Sequence, residues 1–178
     1  MNRRNLYMTS YIKNRKNANK GKYLENLIDI SNKQYLAKGV AHITNIPTPT
    51  KVKWSEGEIT GAYHSGKSTV DFIGVFDGMF VAFDAKETTK NYLPFKAIRQ
   101  HQADYLISIT KYGGLGFILV LFREVNELYM ISIQEFKELQ ETINRASIPL
   151  QWFQDNKEPI VSEWNIRYHY LKSLGRVE

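Results

Sequence analysis

The chain has no cysteine among its 178 residues, which removes disulfides, thiolate metal sites and cysteine nucleophiles from consideration. It has no apolar run long enough to span a membrane, and its N-terminus lacks the apolar segment of a signal peptide. The expectation is a cytoplasmic protein with no membrane partner. Acidic residues are missing from the first 22 positions, where Arg3, Arg4, Lys13, Arg15, Lys16, Lys20 and Lys22 fall. The remainder carries 17 basic residues against 18 acidic ones, so the formal net charge of +6 belongs to an N-terminal arm on a nearly neutral body. Such arms commonly meet phosphate backbones, although composition alone equally allows a solvated tail. The four histidines show no ligand spacing, and no serine has a recognisable histidine partner, so nucleophilic triads have no support.

What is present is a globular composition, with 43% hydrophobic and 13% aromatic residues. The length fits one domain with a real core. We expect a basic, flexible arm over 1–20 and a single domain over 21–178, into which a projecting segment is inserted at about 50–67. Along the chain, the spacing of Leu24, Leu27, Ile28, Ser31 and Tyr35 predicts a helix from about Asn19 to Lys38, stopped at Gly39. Glu25 borders that stripe. A strand follows at Val40 to Ile46, ended by Pro47-Thr48-Pro49. Residues 50–67 are polar and glycine-punctuated, and read as a projecting hairpin or long loop. A helix is expected from Pro94 to Tyr112, with Ile98, Gln102, Tyr105 and Ile109 on one stripe and Gly113-Gly114 as its cap. Leu115 to Phe122 reads as a strand covered on both faces, Glu127 to Ile133 as another strand, and Gln134 to Arg145 as a helix closed by Pro149. The aromatic remainder is expected to pack as a C-terminal cover. This order gives an α/β domain with a central mixed sheet flanked by helices.

The chain is organised around Ser68 to Thr89. Asp77-Gly78 is the strongest short-range hairpin signal, because a two-residue type I′ turn needs positive φ at both positions. With that turn, paired positions sum to 155, and Asp71 stands opposite Asp84 on one face of the sheet. Like charges directly opposed destabilise a strand pair, and a divalent cation between them reverses the sign. Lys86, two residues on, shares the face. Two acids and a lysine therefore converge. Hard oxygen ligands suit Mg²⁺, the Ala85 carbonyl is a further candidate ligand, and a lysine can orient a water and steady developing negative charge.

One rival pattern is present. Gly61 to Ser68 matches G-x-x-x-x-G-K-[ST], with Lys67 at the phosphate-binding position. That pattern works only where a strand passes into a helix whose N-terminal amides hold phosphate. Here strand-like residues follow Lys67, so the nucleotide-hydrolase reading ranks last.

The residues VDFIGVF and FDAKET, preceded by IPTPTKV and followed by a helix bearing His101-Gln102, resemble the RecU-type Holliday junction resolvases of the PD-(D/E)xK nuclease superfamily. GKYLEN places Glu25 at the family's N-terminal acid, and the resemblance runs from about Gly21 to Phe122. It implies a restriction-endonuclease-like fold and a homodimeric, Mg²⁺-dependent endonuclease, with Mn²⁺ as a substitute. It also implies symmetric nicking of four-way junctions and branched DNA in recombination and repair; no recombinase partner is identified. Asp71, Asp84, Lys86 and Glu25 are then catalytic, with Asp71, Asp84 and the Ala85 carbonyl at the metal. DNA would be met by the arm, by Lys22, Lys51, Lys53, Lys67 and Gln102, and by 50–67 as a stalk entering the junction. The chain departs from the family in three places. Asp84 stands where glutamate is usual, Val70 where a polar residue is frequent, and the short stalk points to a phage-type member. The alternatives are a PD-(D/E)xK nuclease for other DNA and a DNA-binding recombination factor that no longer cuts.

Overall fold

The structure, a computed structural model, describes residues 22–47, 50–55, 57–64 and 69–175. Arg3, Arg4, Lys13, Arg15, Lys16, Lys20 and Lys67 lie outside these residues, as does the side chain of Lys51. The chain runs through helix α1 (Lys22–Ala37), strand β1 (Ala41–Asn45), a hairpin of β2 (Thr50–Ser55) and β3 (Glu58–His64), then β4 (Phe72–Phe76) and β5 (Met79–Thr88). A short β6 (Tyr92–Pro94) and helix α2 (Gln100–Lys111) lead to β7 (Leu115–Phe122) and β8 (Glu127–Ser132). Helix α3 (Ile133–Thr142), β9 (Ser147–Pro149) and helix α4 (Leu150–Asn156) follow.

Five strands form a mixed sheet in the order β1-β4-β5-β7-β8, with β5 and β7 parallel and the other pairs antiparallel. This is the central mixed sheet expected from the sequence. Asp77 and Gly78 have φ of 49° and 72°, the doubly positive turn, and the β4–β5 register from Phe76↔Met79 to Phe72↔Phe83 keeps the predicted sum. Phe72, Phe83 and Phe117 follow one another across three strands, their rings stacked 4.9 and 4.7 Å apart.

Strand β7 shows why both faces need cover. Phe117, Leu119 and Leu121 enter one core with Leu24, Ile28 and Tyr35 of α1, and with Ile166, Tyr168 and Tyr170 of the C-terminal segment. Ile118, Val120 and Phe122 enter the other, with Ala103 and Leu106 of α2, Phe136 of α3 and Phe153 of α4. The C-terminal segment is indeed a cover, fastened by buried polar bonds. The backbone N–H of Tyr168 donates to Ser31 Oγ at 3.0 Å, that of Leu171 to the Tyr35 hydroxyl at 3.1 Å, and the Tyr170 hydroxyl donates to Asn32 Oδ1.

Two expectations are corrected. The second helix does not open at Pro94: that proline closes β6, which pairs with β9, and α2 begins after Arg99, whose ψ of 150° is extended. The third helix ends at Thr142, because Ile143 is already extended, and Pro149 is followed by a further helix, α4. Gly61 to His64 belong to β3, and the chain after residue 69 enters β4 rather than a helix, so the phosphate-loop spacing has no helix to serve. The β2–β3 hairpin forms a sheet of its own. Val52 to Ser55 and Glu58 to Thr60 are all exposed, consecutive residues alike, so both of its faces meet solvent. Among the described residues no helix is long and apolar enough to cross a membrane.

Gly74 fixes how closely β1 and β4 approach. A Cβ there would lie 2.2 Å from the His42 carbonyl oxygen and 2.6 Å from Ile43 Cα, both backbone atoms. Gly74→Ala should cost about 1–3 kcal/mol of stability, read as a lower urea midpoint at unchanged slope.

Candidate active site

The β4–β5 hairpin delivers its chemistry at the end away from its turn. Asp71 precedes β4; its carbonyl accepts the Ile46 N–H at 2.8 Å, which ties it to the chain leaving β1. Its carboxylate Oδ2 accepts the Ala85 N–H at 2.9 Å. Asp84 is fully buried within β5. Lys86 Nζ lies against Asp84 Oδ2 and 3.7 Å from Asp71 Oδ2, so one ammonium is shared by both carboxylates. The period of two along β5 and the register with β4 produce this arrangement, because both bring the three side chains to one face.

Burial pushes the Asp84 carboxyl up to about 8; Lys86 works against the rise and the Asp71 charge adds to it. Desolvation outweighs the lysine because the carboxyl is fully buried. Glu25, on the first turn of α1, is also raised, chiefly by burial and then by the charge of Asp71, while Lys86 and Lys22 pull it down. The first helix therefore brings its acid within electrostatic reach of the cluster.

Gln102 differs from its expected role as a DNA contact. It is buried on the first turn of α2; its Nε2 donates to Asp84 Oδ1 at 2.9 Å and its Oε1 accepts the Arg99 N–H at 3.1 Å. It caps the helix and holds the carboxylate, and both polar ends are engaged inside the protein. A glutamine on an otherwise apolar stripe was the signal for this, since a buried amide needs partners. The Lys22 charge reaches Glu25, whereas Lys53 is exposed on β2, in the separate two-stranded sheet. Sequence reasoning missed Arg123, just beyond β7, which reaches Glu87 at 3.2 Å and stacks on Tyr23. No local motif marks it, because three separate elements meet there.

The profile of the family described as RecU, recombination protein U, matches residues 19–176, so the similarity also covers the last third. A Holliday junction resolvase RecU from Leuconostoc mesenteroides is 34% identical over 166 residues, covering 89% of this chain and 81% of its own. One from Pediococcus pentosaceus is 32% identical over 168 residues, with coverage of 89% and 84%. Among solved structures, Archaeoglobus fulgidus Hjc, described as a Holliday junction resolvase, matches at a TM-score of 0.46 and 12% identity over 80% of this chain and 93% of its own.

The raised Asp84 fixes a pH dependence. A carboxyl whose folded value lies above its ordinary 3.8 stabilises the fold while protonated. That contribution is complete below about pH 4 and lost as pH rises through about 8. Without divalent cations, the melting temperature should fall from pH 5 to pH 9, and Asp84→Asn should flatten the slope. Gln102→Leu strands a buried carboxylate oxygen and should cost about 1–3 kcal/mol, read by thermal unfolding at pH 7.

Proposed function

The chain belongs to the RecU family, and from that premise we propose that it is a divalent-metal-dependent endonuclease that resolves four-way DNA junctions by paired symmetric nicks. The observation that carries the reading is the convergence of Asp71, Asp84 and Lys86 at one end of the β4–β5 hairpin, with Glu25 beside them.

The donor set fits a hard cation. Asp71, Asp84 and Lys86 meet at one point, and a cation that displaces the Asp84 proton and the Lys86 ammonium would find two carboxylates facing it. Mg²⁺ needs only one or two carboxylates and keeps its remaining waters. Asp71 and Asp84 would hold Mg²⁺, or Mn²⁺ in its place. The Ala85 carbonyl is a reasonable third donor, because the Ala85 N–H points to Asp71 and both groups of a strand residue face the same edge. When bound, the ion supplies Lewis acidity at a phosphoryl oxygen and a source of hydroxide at neutral pH.

The protein's own groups divide the remaining work. Gln102 fixes the orientation of the Asp84 carboxylate. Lys86 swings from the two acids to the attacking water and the phosphate, where it steadies negative charge. Glu25, its carboxyl raised by burial and by the Asp71 charge, assists at the cation. A junction with near two-fold symmetry needs two such centres, and the described residues of one chain hold one, so the working form is a homodimer. The β2–β3 hairpin is the part that enters the junction, and the basic arm over 1–20 raises affinity for all DNA, in the bacterial cytoplasm where the substrate occurs.

Labelled four-way junction and linear duplex, each with and without Mg²⁺, test this directly. Wild type should cut the junction only with the cation; Asp71→Asn and Asp84→Asn should lose at least about 10²-fold in rate, and Lys86→Ala should stop cutting while retaining junction binding. Equal cutting of linear duplex would make it a general nuclease, and binding without cutting a recombination factor. A monomer by sedimentation, free and on DNA, would sink the dimer.

A further inference from the structure

The reaction-centre end of the sheet carries a second cationic group that the carboxylate–lysine cluster does not use. Arg123 follows β7 directly, and its N–H donates to the Thr88 carbonyl at 2.8 Å, which ties it to the end of β5. Strands β5 and β7 are parallel, with Lys86 beside Val120. Arg123 therefore lies three residues past the level of Lys86, about 10 Å along the strands, with its side chain on the α1 face of the sheet.

The guanidinium is held in a set direction. Its Nη1 meets Glu87 Oε2 at 3.2 Å, and its carbon sits 4.1 Å over the ring of Tyr23, the second residue of α1. Tyr23 is 41% exposed and the Arg123 side chain 39% exposed, so the stack is open to a ligand. Next to Tyr23 is Lys22, whose charge reaches Glu25 at the cluster. Arg123 thus stacks on the first turn of α1, the same turn that carries Glu25. As a fastening for α1 this pair contributes little, because exposed ion pairs are screened and cost side-chain entropy. As a phosphate site it is well made. Arginine has five N–H donors, Glu87 engages Nη1, and the planar fork matches phosphate oxygens.

We infer that Arg123 is a phosphate-positioning residue which, stacked on Tyr23 and aligned by Glu87, holds the DNA backbone a few nucleotides from the scissile bond. This rests on the nuclease reading and adds a contact outside the cluster itself. Its effect is on docking: the strand is registered against Lys86 before any bond breaks.

The test is Arg123→Gln in the full-length protein, assayed on four-way junctions. The KM should rise roughly tenfold, the loss of one charge-assisted phosphate contact, while the single-turnover rate at saturating protein stays within about twofold. Binding measured with Ca²⁺ in place of Mg²⁺ should show the slope of log K against log salt reduced by about 0.9. Glu87→Gln is the second variant, and should keep that slope and bind more tightly at low salt because it removes the competing carboxylate. An unchanged slope and KM in Arg123→Gln would overturn the inference. So would a lowered melting temperature with an unchanged slope, which marks a purely structural arginine. If Arg123→Gln does not fold, weaker binding by Glu87→Gln is the overturning result. Wild-type protein that neither binds nor cuts junctions would instead remove the nuclease reading, which the same assay shows before any variant is compared.

Discussion

Asp84 is fully buried, and a carboxylate taken out of water must be met by a proton, a cation or donors aimed at its oxygens. All three sources are in place around it. Gln102 donates to one oxygen, Lys86 lies against the other, and burial drives the group toward holding a proton near neutral pH. Asp71 makes the problem harder, because its own charge opposes ionisation of its neighbour. Much of the surrounding architecture follows from this requirement. Helix α2 must begin where Gln102 can turn its amide onto β5, so the chain between β5 and that helix is spent on a short ladder, β6 with β9, and a single 3-10 turn at Phe95–Ala97. A buried carboxyl set beside a second one opposes folding, and strongly shifted groups of this kind concentrate at functional sites.

The parts of this design that were legible in the sequence are those set by neighbours in the chain. The Asp77-Gly78 turn fixes the β4–β5 register, and from the register alone Asp71, Asp84 and Lys86 fall on one face. The α1 stripe was legible for the same reason, since Leu24, Ile28, Ser31 and Tyr35 recur at the helical period and all are buried. The unbroken apolar run of β7 likewise announced a strand with cores on both sides.

What was not legible depends on contacts between distant residues. Pro94 reads locally as a helix start, yet its surroundings are settled by β9, more than fifty residues away. The role of Gln102 is set by Asp84 across the sheet, and that of Ser31, Asn32 and Tyr35 by Tyr168, Tyr170 and Leu171 near the other end of the chain. Each of these is a polar residue on an otherwise apolar stripe. Periodicity shows that such a residue is buried, and the rule that buried polar groups are bonded shows that it has a partner. Neither names the partner.

The distribution of exposed groups separates reactivity from affinity. The body outside the first 22 residues is nearly neutral, and its carboxylates at the reaction centre would repel a phosphate backbone unless cations intervene. Attraction must therefore come from the periphery. The β2–β3 hairpin has Trp54 paired with Ile59, both exposed, on a ribbon where Val52 to Ser55 and Glu58 to Thr60 are all exposed. A two-stranded hairpin in water is marginally stable, and exposed apolar residues do nothing to help it. Folding thus gives no reason for Trp54 and Ile59 to be there. An aromatic side chain that stacks on any base, whatever its sequence, gives one. If the proposed reading holds, the hairpin and the basic arm would meet the DNA at the periphery, apart from the buried Asp84 and its partners at the reaction centre.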